Sequence, residues 1–510
     1  MPISFNGIPE NWKQPLYWIE TDPSQAGFPT TFLPALIVGY KTASGSQPAD
    51  VPIAVSSVED ARAYFGNGSQ LALMVEWFLK GNTAATLYAI PVAEPSGGTA
   101  ASATVTCSAA PTQAGTLSLY VAGRRVQVFI AADDTTGEVS TKLVAAINAD
   151  PQMPVIASQA TTDAPAMLLT AKFKGIEGND IDVRFNYGGA PAGEVMPTTL
   201  AFTGAPAKLA TGTGSPVLTT MMANLGDEPY EYVALGFNDS TTFGLFTTEY
   251  GFGDTGRWGW MRQLYGHLFS AKRDTYANLM TYGPSNNSGV LSVMTVEVNS
   301  PTPIWCWAAA YCAKAARGLL NDPARPLQTL ALDGCLPAPK HQRFTDTERN
   351  NLASVGLATQ AVNGDGVPAI KRETTTYQKN LHNQGDDAYE LVPTLATLAK
   401  LFRNQRHAIT SKYPRHKLAN DGTRFGPGQA IVTPKIIKAE LVAQYRRDEY
   451  NGLVEDAPAF KKNLIVERDS NNHSRLNVLY PPDLVNQLRI FAVLAQFRLQ
   501  YNRGVDTDIT

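Results

Sequence analysis

Hydrophobic and polar positions change rhythm several times along this chain. Phe32-Leu-Pro-Ala-Leu-Ile-Val-Gly39 is an unbroken apolar run of strand length, the pattern of a strand covered on both faces. Ser56-x-x-Glu59 predicts a capping box that opens a helix, which Gly66-Asn-Gly68 stops. A second helix over 71–79 and a strand over 86–90 complete a βααβ order, which belongs to an α/β layer. The small-residue tract Pro95-Ser-Gly-Gly-Thr-Ala-Ala-Ser102 then reads as a linker. Beyond it, short strands are expected at 103–107, 116–121, 125–130 and 167–172, with a helix near 138–148. Two further soft tracts, 188–193 and 210–216, close this β-rich stretch.

The α/β rhythm resumes with strands over 231–237, 268–271 and 290–298. A helix over 304–320 follows Pro303, held by Trp305, Trp307, Ala308, Tyr311 and Cys312; a β-branched strand over 371–377 is expected to expose one side. From Tyr389 the period turns helical. Over 394–409, Leu395, Leu398, Leu401, Phe402 and Ile409 cluster on one side, with Lys400, Arg403, Arg406 and His407 beside them. Asn420-Asp-Gly422 signals a hairpin. Thr433-Pro434 opens a helix that runs to 450 and stops at Gly452. Its apolar row is Ile437, Leu441 and Tyr445, and Lys435, Lys438 and Arg446 fall along one flank.

After a strand at 463–467, the chain ends on strict alternation. Phe491, Val493, Ala495, Phe497, Leu499 and Tyr501 share one face, and Gln496, Arg498 and Gln500 the other, predicting a half-buried strand. A short apolar run, Leu16-Tyr17-Trp18-Ile19, lies behind an extended leader at the other end. Such strands need partners. They can pair with each other within one copy or be handed to another molecule, and the sequence leaves both open.

The fold class expected is α/β and multi-domain. A central α/β core domain (26–95 and 213–388) carries an inserted β-rich domain (96–212), followed by an α+β C-terminal domain (389–488). Extended strand arms lie at 1–25 and 489–510. The length of 510 residues allows about three domains. Charged residues make up only 17%, with 41 Gly and 34 Pro, which suits a loop-rich protein covered by partners. A net charge of −3 gives no global basic field for nucleic acid. The charge is polarised: residues 400–510 hold 18 Lys and Arg against 11 Asp and Glu. That surplus is either a solvated helix face or a basic surface for an acidic partner; few aromatics interleave it, which disfavours nucleic acid. The opening Met-Pro-Ile-Ser lacks the basic and apolar segments of a signal peptide, and no apolar run is long enough to span a bilayer.

Chemistry finds little purchase. The six histidines show no HExxH spacing and the four cysteines no CxxC pair, so no metal or cofactor is expected. GxSxG and GxxxxGK[ST] are missing. Gly251-Phe-Gly-Asp-Thr-Gly256 fits GxGxxG in form, but it follows a helical pattern and reads as a turn. Cys306 sits on an apolar helix face, a core position.

Three segments carry a resemblance. Ile3-Ser-Phe-Asn-Gly-Ile-Pro9 with Pro15-Leu-Tyr17 resembles the opening of the tail sheath proteins of Mu-like contractile phages. Tyr413-Pro-Arg-His-Lys-Leu-Ala-Asn-Asp-Gly-Thr-Arg-Phe-Gly426 and the run from Leu476 to Tyr501 resemble their closing third, and order and spacing agree along nearly the whole chain. The resemblance implies a structural virion subunit and no enzyme, assembled in the host cytoplasm as stacked six-fold rings around a tail tube. The partners it implies are further copies of the chain, the tube protein, and baseplate and tail terminator proteins, with no direct nucleic acid and no membrane insertion. It further implies that Leu16, Tyr17, Trp18, Ile19, Phe491, Val493, Phe497 and Leu499 belong to arms passed between subunits. Lys400, Arg403, Arg406, Lys435, Lys438 and Arg446 would face the tube, and the inserted domain would sit outside as the most replaceable part. The rival readings are a phage surface or receptor-binding module and an α/β-class enzyme.

Overall fold

A computed structural model describes residues 33–499. The expected N-terminal arm, with Leu16, Tyr17, Trp18 and Ile19, lies outside the described residues, as do residues 500–510.

The central element is β1 (Ala35–Tyr40), whose six residues are all buried. The edge strand β2 (Ile53–Ala54), helices α1 (Val58–Phe65) and α2 (Gln70–Gly81), and β3 (Leu87–Val92) follow. The helix start is one residue later than the sequence motif suggests. Ser57 caps α1 by accepting from the Asp60 amide, while the Ser56 hydroxyl donates to the Asp60 carboxylate.

Next comes a β-rich segment. It holds β4 (Ala100–Ala109), β5 (Gly115–Val121), β6 (Arg124–Ile130), α3 (Thr136–Ala149), β7 (Val155–Gln159), β8 (Ala166–Lys174), β9 (Asp182–Phe185), β10 (Ala201–Thr203) and β11 (Ala207–Lys208). Two antiparallel sheets result, in the orders β10-β4-β8-β7 and β11-β9-β5-β6. The chain then returns through α4 (Thr219–Asn224), β12 (Tyr232–Leu235), α5 (Ser240–Glu249), β13 (His267–Arg273), α6 (Tyr276–Tyr282), β14 (Leu291–Val296) and α7 (Ile304–Asn321). The resulting sheet has the order β14-β13-β12-β1-β3-β2, parallel except for β2. Helix α7 lays an alanine-rich, tryptophan-anchored face on it; Trp305, Trp307, Ala308, Tyr311 and Cys312 are all buried.

Strand order reverses between β1 and β12, where open α/β sheets usually leave a ligand crevice. Here protein fills it. The Gln70 side chain bridges the two strands, accepting from the Tyr40 amide and donating to the Gly236 carbonyl, each at 2.8 Å. Above it lies the turn Ile176–Asp180 of the β-rich segment. Gly175 packs so tightly that a Cβ there would lie 2.7 Å from the Tyr40 ring. Asp180 accepts from Arg273 at 2.5 Å and caps α7 through the Ile304 amide at 2.7 Å. Val121, Phe173 and Ile181 join the same hydrophobic core as Tyr40 and Trp305. The inserted segment thus shares the hydrophobic core of the layer it interrupts.

The rest of the chain contains α8 (Asp346–Ser354), β15 (Thr359–Val362) and β16 (Pro368–Arg372). The strand expected over 371–377 ends early. Glu373, Thr374, Thr375 and Thr376 are fully buried, because loops cover the side expected to be wet. Helix α9 (Val392–Lys412) spans two cores, with Leu395 in the first and Leu401 in the second. The short β17 (Lys417–Leu418) and β18 (Ile431–Val432) pair in parallel, so Asn420-Asp-Gly422 is a turn but not the tip of a hairpin. Helix α10 (Pro434–Tyr450) starts on Thr433 as expected and ends before Gly452, at φ 73°. α11 (Ala457–Asn463) stacks Phe460 on Tyr445 at 3.7 Å between ring centres. β19 (Ile465–Arg468) and β20 (Leu476–Leu479) form a two-stranded antiparallel sheet.

Candidate functional site

Among the described residues, β19 and β20 pair only with each other. Ile465, Val478 and Leu479 are 50%, 40% and 59% exposed, more than a finished sheet usually leaves in contact with water. Beside β20 a cavity of about 480 Å³ opens between α9, α10 and the loop before β13. Trp258, Tyr265, Phe402, Ile409, Leu441 and Val478 line it.

After β20 the chain is tied down for a few residues more. The Glu455 amide donates to the Asp483 carbonyl and the Val485 amide to the Leu453 carbonyl. Gln487 donates to the Ala324 carbonyl at 2.6 Å, and Arg489 forks onto Glu373. Beyond it the large apolar side chains stand open to solvent. Phe491, Val493, Phe497 and Leu499 are 84%, 68%, 85% and 97% exposed, and Ile490 and Leu494 are as open. The half-buried strand read from the alternation is not formed within the described residues. A ladder needs a second edge, and no described strand offers one to residues 491–499. So many large apolar side chains exposed in one short segment are uncommon on the surface of a folded chain.

The basic residues separate into two groups. Arg403 is committed inward. It forks onto Glu231 at 3.1 and 2.5 Å, donates to the Leu264 carbonyl and lies over the Tyr265 ring, fastening α9 to the foot of β12. Lys438 donates to the Leu464 carbonyl at 2.6 Å, closing the end of α11. Lys400 is half-buried, and Arg406, Lys435 and Arg446 are exposed. Among the described residues these four form no ion pair. Helical spacing alone cannot separate the two groups, because Glu231 is 172 residues from Arg403.

No catalytic constellation comes together among the described residues. The four cysteines are buried and burial raises their thiol pKa values, the reverse of an activated nucleophile. His267 is enclosed with neither ring nitrogen bonded, and burial lowers its pKa to about 3. Among the described residues no group of three His, Cys, Asp or Glu could hold a metal ion, and no helix is long and apolar enough to cross a membrane. Gly251 to Gly256 is a tight turn, where a Cβ on Gly256 would lie 2.2 Å from the Gly251 carbonyl oxygen.

Profiles of the phage tail sheath protein central domain and the phage tail sheath C-terminal domain match residues 211–376 and 384–498. The chain is 41% identical over 501 residues to the Mu-like prophage FluMu tail sheath protein of Haemophilus influenzae, covering 98% of this chain and 100% of that one. Among solved structures it is similar to a sheath tail protein of Desulfitobacterium hafniense, with a TM-score of 0.47 at 12% identity over 92% of this chain and 97% of that one. A sheath tail protein of Listeria innocua gives 0.44 at 13%, over 89% and 92%.

Proposed function

This chain belongs to the Mu-like phage tail sheath family and is a structural component of a virion tail, and on that premise we propose that its copies are joined by strand exchange. In this reading residues 490–499 of one subunit pair with an open edge of the β19–β20 sheet of another. The arm at 1–25, with Leu16, Tyr17, Trp18 and Ile19, joins the same kind of link. The observation that carries the reading is an apolar alternating segment without cover, found in the same chain as a two-stranded sheet with spare edges. Backbone hydrogen bonds supply the affinity, and the alternate side chains Phe491, Val493, Phe497 and Leu499 find cover on the acceptor.

The proposed assembly is a set of six-fold rings stacked helically around a tail tube, bounded by baseplate and terminator proteins and built in the host cytoplasm. Contraction releases a metastable arrangement as rigid bodies rotate and form new contacts while the arms keep the mesh connected. It consumes no nucleotide and requires no cofactor. The α/β layer with its β-rich segment, held by one core, and the C-terminal helices, held by a second, supply the rigid bodies. The tube-facing surface is drawn from Lys400, Arg406, Lys435 and Arg446, with Arg403 and Lys438 supporting it from within. Exposed pairs of this kind contribute about 0–1 kcal/mol each, weak enough for the tube to slide free.

Removing residues 490–510 tests the exchange. The shortened chain should remain folded, with an unchanged far-ultraviolet circular dichroism spectrum, and sediment as monomer at concentrations where the full chain polymerises. Long polymers from the shortened chain would refute it.

A further inference from the structure

The chain changes attachment just before the arm begins. Residues 483–485 still bond to 453–455, beside α10 and α11. Two residues later Gln487 reaches the Ala324 carbonyl, beyond the end of α7. Arg489 then lays its guanidinium on Glu373, Nη1 to Oε2 at 3.0 Å and Nη2 to Oε1 at 2.5 Å. The Glu373 side chain is 0% exposed and that of Arg489 10%. Glu373 is also a junction. Its carboxylate accepts from the Leu327 amide at 3.0 Å, and its carbonyl accepts from the amide of Val392, the first residue of α9, at 3.2 Å. Ile490, the next residue after the clamp, is 79% exposed. The arm therefore leaves from the α/β layer and not from the small β19–β20 sheet that precedes it.

We propose that the Glu373–Arg489 pair is the anchor of the C-terminal arm, fixing where the strand leaves the body and directing tension in it to the α/β layer and the start of α9. A bidentate guanidinium–carboxylate pair fixes angle as well as distance, which a single-point lysine contact does not. Burial removes the competing water that would let an exposed pair exchange partners. A neighbour pulling on residues 490–499 thus pulls on Glu373, and through its carbonyl on the first turn of the helix that joins the two cores. The small sheet is left unloaded to receive a strand of its own. This inference rests on the strand-exchange reading for the source of tension, but the anchor itself is a property of the single chain.

The test uses the full chain with spin labels on introduced cysteines at Thr281 and Ala492, both exposed; the four native cysteines are buried. Labelled protein is diluted in unlabelled protein so that only distances within one copy are read. The parent should give one narrow distance distribution. E373Q/R489M removes the clamp without stranding a buried charge and should broaden it at least twofold; R489K, with a one-point contact, should broaden it less. Unchanged widths in both variants would overturn the anchor. If the double variant unfolds, R489K alone decides. Polymers of E373Q/R489M should be at least severalfold shorter than the parent's by electron microscopy. A chain truncated after Arg489 separates the two failures. If it polymerises normally, strand exchange is wrong. If it stays monomeric while the clamp variants keep parental widths, only the anchor is wrong.

Discussion

Two acidic residues of the inserted segment decide how firmly it holds to the α/β layer. Asp180 neutralises Arg273, whose side chain is 3% exposed, and caps α7. Asp180→Ala leaves a buried guanidinium unpaired and should destabilise the chain by about 3–5 kcal/mol in urea unfolding; a loss below about 1 kcal/mol would show that the joint is not structural. Glu177 sits beside Tyr40 and Asp239, and burial raises its pKa from 4.5 to about 8. The folded chain keeps that proton up to about pH 8, whereas the unfolded chain releases it above about 4.5. Stability must therefore fall as pH rises between these values. His267 acts in the opposite direction. Its lowered pKa costs stability only below about pH 6.5, where the unfolded imidazole gains a proton that the folded one refuses. Between pH 6.5 and 8 the urea midpoint of the parent should drop more than that of Glu177→Gln; parallel midpoints would contradict the assignment.

Among the elements, α10 was the most legible in sequence. A Thr-Pro start, an apolar row at helical spacing and a glycine at the stop state one answer three times. Where local signals competed with long-range packing, packing won. The β-branched run after Arg372 reads as a strand with one exposed side yet lies enclosed, because loops from elsewhere in the chain cover it. The polar turn at Asn420 reads as a hairpin tip, but its flanking strands pair in parallel. The arm divides the same way: its alternation was visible, whereas the missing partner is a fact about the rest of the chain. For the basic helices, spacing identified the charged flanks but could not reveal that Arg403 already had a partner. Reversing Arg406, Lys435 and Arg446 to Glu should leave self-assembly intact and cut co-sedimentation with tail tube protein at least threefold. Undiminished co-sedimentation would move the tube contact to another face.

In the whole molecule, one shared core holds the α/β layer and its insertion, a second holds the C-terminal helices, and α9 spans both. The crevice that would serve an enzyme is filled by Gln70 and the turn at Asp180, while among the described residues the densest run of exposed large apolar side chains lies in the arm after Arg489. That distribution suits a subunit whose function lies in what it joins. The most direct test is negative-stain electron microscopy of the full-length protein expressed alone, repeated with added tail tube protein. Striated hollow cylinders or six-fold rings are the predicted result. Compact monomers under both conditions, at concentrations far above those of an assembling subunit, would contradict it.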